Sequence, residues 1–444
     1  MSVRELAFAI YGRRAGLIVR DRHLVTLRYD DDYLAWPEAT PLSLSMPLVG
    51  GAYTARPVLA FLKGLLPDNP AVRERWARRF GVRAGDTLGL VAAIGGDTAG
   101  GAVFAAPDEL DSLLARPSRV EAISHGEVAA RLRQLREDDD AWLGESDEHW
   151  SLAGAQGKFT LVQLDDGGWG LASGSAPSTH IVKPGVRRVA NQALAEHVSM
   201  RTLALLGLEV AETRFVEVED EPALIVTRFD RRRQPAGVVR VHQEDMVQSH
   251  ALDPSRKYEG DGGPGVARIV ATLGQHAGPE SVGRFVDATI AGYLLGAPDG
   301  HAKNYSVMLA GALVRLAPLY DVSTGLIPDA AGRLRYRSAA MSIGGEKRFG
   351  DVEATHWEKF AQVCRQPVER VRSRVAELAE RLPDAFEAAL GEVSGAAGER
   401  ALRSQTLPLV AAVCEETARG LTRSRRVAGR LVTPFLDEFD RGSG

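Results

Sequence analysis

The segment 294–322, LLGAPDGHAKNYSVMLAGALVRLAPLYDV, is the stretch that most constrains what this chain can fold into. It places Asp299 in a predicted loop, Asn304 five residues later, and Asp321 seventeen residues after that. Between Asn304 and Asp321, two short apolar runs predict strands over residues 305–309 and 313–316, joined by a tight turn. Because a hairpin returns the chain on itself, we expect the second aspartate to lie beside the first loop.

This spacing is typical of a phosphoryl-transfer centre. One carboxylate orients the attacking hydroxyl, while a second carboxylate and an amide oxygen hold Mg²⁺ on the phosphates of ATP. Asparagine supplies a neutral oxygen ligand, so metal ions can be held without excess negative charge. Spacing alone is equally compatible with an Asx-rich turn, in which Asp299 and Asn304 would cap backbone amides.

Composition excludes several classes of protein. The chain has 444 residues, 45% of them hydrophobic and 25% charged, which is ordinary for a soluble globular protein of two or three domains. A net charge of −4 argues against an autonomous polyanion binder. Two isolated cysteines, Cys364 and Cys414, fit a reducing cytosol. No signal peptide and no long apolar run is evident, so we expect a cytoplasmic protein without a membrane span.

The chain divides into three predicted parts. Residues 1–106 are β-rich with helical inserts, and the alternating apolar and polar residues of 42–48 predict a half-buried strand. Residues 107–148 read as a connector, and residues 149–444 form a third part that is almost wholly helical from residue 355 onward. Arginine-rich stretches at 73–79, 231–233 and 419–430 are either solvated faces or surfaces for an acidic partner.

A loop of small residues leads directly into an apolar strand at the start of the third part. Residues 151–158 read SLAGAQGK, and the predicted strand covers 159–164. Small residues let backbone N–H groups approach phosphate oxygens, and Lys158 adds positive charge. A Walker loop would need a helix after the lysine, whereas Phe159 and a strand follow here. A loop covering phosphates from a β-hairpin is instead the kinase arrangement, although any glycine-rich turn before a strand looks similar.

A strand that ends on a lysine comes next. Residues 180–183 read HIVK, and a helix is predicted over 191–206 with Glu196 in its first turn. In kinases a strand lysine contacts the ATP phosphates and pairs with a glutamate on the next helix. The alternative is a surface lysine and a glutamate favoured by the helix dipole. The strand 224–229 would then lead into the hinge that holds adenine.

Ten motifs, in this order and spacing along the chain, closely resemble the HipA-type serine/threonine kinases, the toxins of HipBA type II toxin–antitoxin systems. They are YGRRAGLI, LSLSMPL and LLPDNP in the N-terminal part, followed by SLAGAQGK, STHIVKP, RFDRR, QEDM, KYEGDGGPG, DGHAKNYSV and PLYDV. The resemblance implies an α+β, bilobal protein-kinase-like fold with a β-rich N-terminal subdomain and a mostly helical C-terminal lobe. It also implies dependence on ATP and Mg²⁺.

The resemblance implies roles for individual residues. Asp299 would be the catalytic aspartate, Asn304 and Asp321 the metal ligands, and Glu196 the ion-pair partner of Lys183. The chain departs from the family at the hinge, where Thr227 replaces a glutamate, and at Gly157, where another member has a glutamate. The residues expected to contact ATP are Ala153, Gly154, Ala155, Gln156, Gly157, Lys158, Lys183, Thr227, Arg228, Phe229, His301, Ala302, Lys303, Asn304, Tyr320 and Asp321.

Ser151 matches the family's autophosphorylated serine. A phosphate there would face the ATP phosphates, repel them and favour an open loop, and Arg231, Arg232 and Arg233 could then capture it. The implied partners are a HipB-like helix-turn-helix antitoxin, operator DNA mainly through that antitoxin, and a translation-related protein substrate such as an aminoacyl-tRNA synthetase. Two other hypotheses stay open: a regulatory subunit that acts as corepressor with the antitoxin, and a small-molecule or lipid kinase.

Overall fold

The computed structural model describes residues 3–22, 24–116, 118–143, 150–173, 175–185, 189–235 and 237–422. The basic stretch 419–430 lies outside these residues from residue 423 onward. Within the described part of the chain, no helix is both long and apolar enough to cross a membrane.

The N-terminal subdomain is an antiparallel sheet covered by short helices. Asn69 begins the third of these helices, because its side chain accepts a hydrogen bond from the Ala71 N–H and Pro70 occupies the first turn. The elements are β1 (Glu5–Ile10), β2 (Arg13–Asp21), β3 (Leu24–Tyr29), α1 (Asp31–Leu34), α2 (Ala55–Gly64), α3 (Pro70–Arg79), α4 (Thr87–Ile94), β4 (Ala102–Ala105) and α5 (Leu110–Ala115). The strands lie in the order β3-β2-β1-β4.

The strand predicted over residues 42–48 is wrong. Ser43 and Met46 instead close a short turn through an isolated bridge. The hydrogen-bonding groups of this turn are taken by a distant side chain, since Glu244 accepts from Ser43 Oγ at 2.5 Å and from the Leu44 N–H at 2.6 Å. The alternating pattern therefore reflects a loop fixed against the rest of the molecule and not a sheet strand.

A six-stranded antiparallel sheet forms the next layer. Its elements are β5 (Arg119–Ile123), α6 (His125–Glu137), β6 (Phe159–Gln163), β7 (Trp169–Ser173), β8 (His180–Lys183), α7 (Gln192–Leu205), β9 (Thr213–Val218) and β10 (Glu221–Thr227). The strand order is β5-β7-β6-β8-β10-β9. Strand β5, from the predicted connector, pairs with β7 along its whole length, so this segment supplies the edge strand of the sheet.

The remainder of the chain is mostly helical and contains three small β-sheets of two or three strands each. Its elements are β11 (Arg231–Gln234), β12 (Gly237–Arg240), β13 (His242–Asp245), α8 (Met246–Ser249), α9 (Val266–His276), α10 (Gly278–Leu294), β14 (Ser306–Ala310), β15 (Leu313–Leu316), β16 (Ser338–Ile343), β17 (Glu346–Arg348), α11 (Ala354–Val363), α12 (Val368–Glu392), α13 (Glu399–Ala401) and α14 (Leu407–Thr422). Strands β13, β14 and β15 form one sheet, so the predicted hairpin is present with a third strand beside it.

Two large hydrophobic cores hold these layers. One core packs the helices α7, α8, α9, α10, α11, α12 and α14 together. The other runs without interruption from the N-terminal sheet into the six-stranded sheet, and buries Phe8 and Phe61 with Phe159 and Val182. The N-terminal subdomain and the six-stranded sheet therefore form one packed lobe. The loops of the subdomain lie beside the cleft between this lobe and the mostly helical remainder of the chain.

Candidate active site

A cleft of about 1610 Å³ brings the predicted site residues together. Of the predicted residues that the structure describes, Ser151 and Ala302 do not line it. The residues that do are Ala153, Gly154, Ala155, Gln156, Gly157, Lys158, Lys183, Glu196, Thr227, Arg228, Phe229, Asp299, His301, Lys303, Asn304, Tyr320 and Asp321.

Lys183 lies at the centre of a charged network in the cleft. It is the last residue of β8, and its Nζ lies 2.7 Å from Glu196 Oε1 on α7 and also contacts Asp321 Oδ1. Burial alone would lower the pKa of Lys183, but Asp321 and Glu196 outweigh burial and raise it. The ammonium therefore stays charged and links the strand, the helix and the residue that follows the hairpin.

The loop that carries Asp299 is held by two hydrogen bonds to the Asp299 carbonyl oxygen. Asn304 Nδ2 donates to the Asp299 carbonyl oxygen at 2.7 Å, and the His301 N–H donates to the same oxygen at 2.8 Å. The Asp299 carboxylate is 56% exposed, and the Tyr258 hydroxyl donates to its Oδ1 at 2.5 Å. One carboxylate oxygen is thereby held, while the side chain still faces the open cleft.

The oxygen donors present fit a magnesium–nucleotide complex. Asn304 is 8% exposed, and its amide nitrogen is used by Asp299, which leaves its Oδ1 directed elsewhere and without a donor among the described residues. Asp321 has a left-handed backbone with φ of +59°, and its carboxylate remains partly exposed. The described residues contain no group of three or more His, Cys, Asp or Glu that could hold a metal alone. Phosphate oxygens would have to complete the coordination.

The loop 153–158, which is expected to cover phosphates, is closed on itself by Lys158. Lys158 Nζ donates to the Ala153 carbonyl at 2.7 Å and lies 5.0 Å from the centre of the Trp142 ring. Gly154 has φ of +106°, and a Cβ there would lie 2.6 Å from Lys158 Nζ, so this turn requires glycine. Burial, assisted by Lys183, lowers the pKa of Lys158 to about 8.

Ser151 faces away from the cleft, which corrects one expectation. Its hydroxyl donates to the Leu65 carbonyl of the N-terminal subdomain at 2.5 Å, and the side chain is fully buried. Its N–H donates to the Asp97 carbonyl at 2.9 Å. A phosphate in this position would therefore meet a packed carbonyl and not the ATP phosphates, because these two hydrogen bonds hold Ser151 against the N-terminal subdomain.

The segment expected to be the hinge, residues 227–229, leaves one backbone donor for a ligand. The N–H groups of Thr227 and Arg228 are already bonded, to the carbonyls of Glu212 and Thr179 at 2.8 and 3.0 Å. The N–H of Phe229 has no acceptor among the described residues. The Phe229 ring lies 5.3 Å from that of Tyr320, and both side chains border the cleft.

Four buried charges behind the hinge form what we call the hinge cluster: Asp97, Arg228, Asp230 and Arg231. Arg228 donates to both oxygens of Asp230, at 3.0 and 2.9 Å, and Arg231 donates to Asp97 at 2.7 Å. Against the effect of burial, Arg231 and Arg228 hold the pKa of Asp97 down at about 2. Arg231 is thus committed to a buried ion pair, which corrects the expectation that it captures a phosphoserine.

Comparison with known proteins identifies the family. The model of the HipA-like C-terminal domain matches residues 150–386, and that of the HipA N-terminal domain matches residues 6–104. The chain belongs to the HipA family.

Two relatives are named as kinases. The chain is 32% identical over 401 residues to the "Putative kinase Y4mE" of Sinorhizobium fredii, covering 89% of this chain and 94% of that protein. It is 29% identical over 365 residues to the "Serine/threonine-protein kinase toxin HipA" of Shewanella oneidensis, covering 78% and 80%.

A solved HipA structure shares the fold. It is the complex of Shewanella oneidensis MR-1 HipA with HipB and operator DNA, with a TM-score of 0.81 and 25% identity over 94% of this chain and 98% of that one. The predicted α+β, bilobal kinase-like fold is confirmed.

The sequence reasoning missed several residues of this HipA-family cleft. Asp68, Lys257 and Tyr258 all line it. They fall within LLPDNP and KYEGDGGPG, two motifs that carried the resemblance but had no predicted role. Asp97, which belongs to the hinge cluster and does not line the cleft, was also missed. No local pattern marks it, since its side-chain partners Ser178 and Arg231 follow it by more than 80 residues.

Proposed function

We propose that the chain is a serine/threonine-protein kinase that transfers the terminal phosphoryl group of ATP in the presence of Mg²⁺. The observation that carries the proposal is the network in which Lys183 joins Glu196 to Asp321, beside the loop of Asp299 and Asn304. This is the set of side chains that phosphoryl transfer requires, and one cleft contains all of it.

Asp299 is proposed to accept the hydrogen bond of the acceptor hydroxyl. Tyr258 fixes one oxygen of its carboxylate, so the other oxygen can orient a serine or threonine hydroxyl and take its proton. His301, whose ring stacks edge-on against Tyr258 at 4.8 Å, restricts the position of the tyrosine.

Asn304 and Asp321 are the proposed metal ligands. Mg²⁺, when bound there, would neutralise charge on the phosphate oxygens during transfer. Lys183 and Lys158 would bind the phosphates from the other side, under the loop 153–158. Adenine would lie at the hinge, where the Phe229 N–H is the available donor.

The biological role is proposed from the named relatives. We infer that the chain is the toxin of a cytoplasmic toxin–antitoxin pair, that a HipB-like antitoxin binds it, and that operator DNA is reached mainly through that antitoxin. A translation-related protein, such as an aminoacyl-tRNA synthetase, is the proposed substrate class. The alternative role is that of a corepressor that acts with the antitoxin.

Autophosphorylation at Ser151 is part of the proposal, and it requires the loop to leave its present position. The serine hydroxyl is buried against Leu65, so transfer needs the segment around Ser151 to detach first. A phosphoserine would then not return, since a dianion cannot be buried against a carbonyl. Peptide mapping after incubation with Mg²⁺–ATP tests this, with loss of ATP binding as the expected consequence. An unmodified Ser151 would contradict it.

The kinase proposal is tested with labelled ATP and a lysate of the host organism. The wild-type protein should label a small set of proteins on serine or threonine, identified by mass spectrometry, and Asp299→Asn should label none. Labelled lipids or small molecules, with unlabelled protein, would overturn the assignment to protein kinases. Absence of any transfer, together with tighter operator binding by the antitoxin, would favour the corepressor.

A further inference from the structure

We propose that Asp68, from the N-terminal subdomain, is a positioning residue of the phosphoryl-transfer site. It holds Lys303 in place beside Asn304, and it links the loop that carries Asp299 to the loop 153–158. The inference rests on the proposed kinase function. It means that the N-terminal subdomain supplies part of the working geometry of the cleft and is more than an appendage to the kinase lobes.

The Asp68 carboxylate is shared by two lysines that come from separate segments. Lys303 Nζ lies 2.6 Å from Oδ1, and Lys257 Nζ lies 3.4 Å from Oδ2. Lys303 is nearly inaccessible, with a side chain 4% exposed, and Asp68 is 16% exposed. All three residues line the cleft.

Both lysines are next to residues with proposed roles. Lys303 precedes Asn304 in the short 3₁₀ helix Ala302–Asn304. Lys257 precedes Tyr258, the residue that donates to Asp299, and the Lys257 carbonyl accepts the N–H of Ala302 at 3.1 Å. A fixed carboxylate between the two lysines therefore holds together the two segments that position Asp299.

The backbone of Asp68 makes the connection to the phosphate loop. Its N–H donates to the Gly154 carbonyl at 2.8 Å. One residue of the N-terminal subdomain thus contacts the loop expected to cover the phosphates and the loop expected to carry the chemistry. Asp68 is itself held by the buried residues Leu65 and Leu66 before it and by the Asn69 cap after it.

The charge balance of the cleft explains why a carboxylate is needed here. Burial would raise the pKa of Asp68, but Lys303, Lys257 and Lys158 outweigh burial and lower it, so the group is ionised at neutral pH. Without it, several ammonium groups would face one another with fewer counter-charges. An ammonium has three N–H donors. Lys303 can therefore keep one on Asp68 and offer others to an anion.

The test compares two ion pairs that cross the same junction, the one between the N-terminal subdomain and the mostly helical part of the chain. Asp68→Asn keeps the shape and the backbone contact but removes the charge. Lys63→Gln is the matched control, because Lys63 of α2 pairs with Asp253 at 2.8 Å across the junction but does not line the cleft. We expect Asp68→Asn to lower kcat by about tenfold to a hundredfold, as for misplaced reacting groups. Its KM for ATP should change by less than about threefold, and Lys63→Gln should behave as wild type.

A double-mutant cycle shows whether Asp68 acts through Lys303. If it does, Asp68→Asn should have little further effect in a Lys303→Met background. Independent, multiplicative losses would overturn the inference, as would equal kcat in Asp68→Asn and Lys63→Gln. A wild-type protein that transfers no phosphate would be a different result, since it would contradict the proposed function and remove this inference with it.

Discussion

The two charged clusters beside the cleft use the same side-chain chemistry to different ends. In the hinge cluster, Asp97, Arg228 and Asp230 are each at most 4% exposed and their hydrogen bonds are made within the protein. In the second cluster, which we call the catalytic cluster (Lys183, Glu196, Asp299, Asn304 and Asp321), the Asp299 and Asp321 side chains are 56% and 41% exposed.

This difference in burial distinguishes charges that stabilise the fold from charges that are proposed to take part in the reaction. A buried charge that loses its partner costs about 3–5 kcal/mol, so the hinge cluster can only be static. A half-exposed carboxylate exchanges a protein partner for water or a ligand at little cost, so Asp299 and Asp321 are suited to the ligand-binding roles proposed for them. Substitutions in the hinge cluster should therefore reduce stability, whereas those of the half-exposed Asp299 and Asp321 should mainly reduce activity.

The largest effect is expected from Asp299→Asn. The amide keeps the shape of the side chain but cannot accept the proton of the acceptor hydroxyl, so transfer should fall by about 10²- to 10⁴-fold. Stability should change by less than about 0.5 kcal/mol, since the carboxylate is largely exposed. Labelled-ATP assays and thermal unfolding measure both. An active or unfolded variant would remove the distinction between the clusters.

Asp97→Asn should have the opposite profile. It leaves Arg228 and Arg231 buried with one carboxylate between them, and the free energy of unfolding should fall by about 3–5 kcal/mol. The matched control is Asp165→Asn, which removes the fully exposed partner of Arg233 and should cost less than about 1 kcal/mol. Urea denaturation compares the two. Equal losses would mean that burial does not decide the role of these pairs.

A smaller effect is expected when the proposed metal ligands are removed. Asn304→Ala and Asp321→Ala should each weaken Mg²⁺–ATP binding about tenfold, or about 1.4 kcal/mol. With EDTA in place of Mg²⁺, Asp321→Ala should bind ATP no more weakly than wild type, because Lys183 loses a competing carboxylate. Calorimetry in both conditions measures this, and an equal loss with and without Mg²⁺ would place the metal elsewhere.

Local sequence signals predicted some of these features and could not predict others. Strand His180–Lys183 has the predicted bounds, and the hairpin after Asn304 differs by one residue in its first strand, because both depend on short apolar runs and a turn. Residues 42–48 were predicted wrongly, because Glu244, some 200 residues away, fixes that loop. Asp68 lies in a motif of the family, but its role could not be predicted for the same reason, since Lys257 and Lys303 are 189 and 235 residues away. The roles proposed for the site residues remain predictions.

Glu244 sharpens the comparison, since it is as buried as the hinge cluster but forms no ion pair with a described lysine or arginine. It is 1% exposed and bonds to Ser43 and Leu44 of the N-terminal subdomain. Burial raises its pKa from 4.5 to about 8, and the neighbouring Asp245 adds to the effect. The folded protein therefore holds a proton at neutral pH that the unfolded chain has released. Such a group stabilises fully below pH 4.5, and this stability is lost as pH rises to about 8.

Glu244→Gln should remove that pH dependence while it preserves the hydrogen bonds, because an amide can accept from the Leu44 N–H with its oxygen. Between pH 5 and 8, wild-type stability should fall relative to that of the variant, by at most about 1.4 kcal/mol per pH unit. Asp245, whose pKa is raised by burial to about 6, contributes in the same direction in both proteins, so that only its coupling to Glu244 enters the difference. Glu74→Gln, at an exposed carboxylate of α3, should follow wild type. Denaturation midpoints across this pH range measure the effect, and parallel curves for wild type and Glu244→Gln would show that Glu244 is ionised in the folded protein.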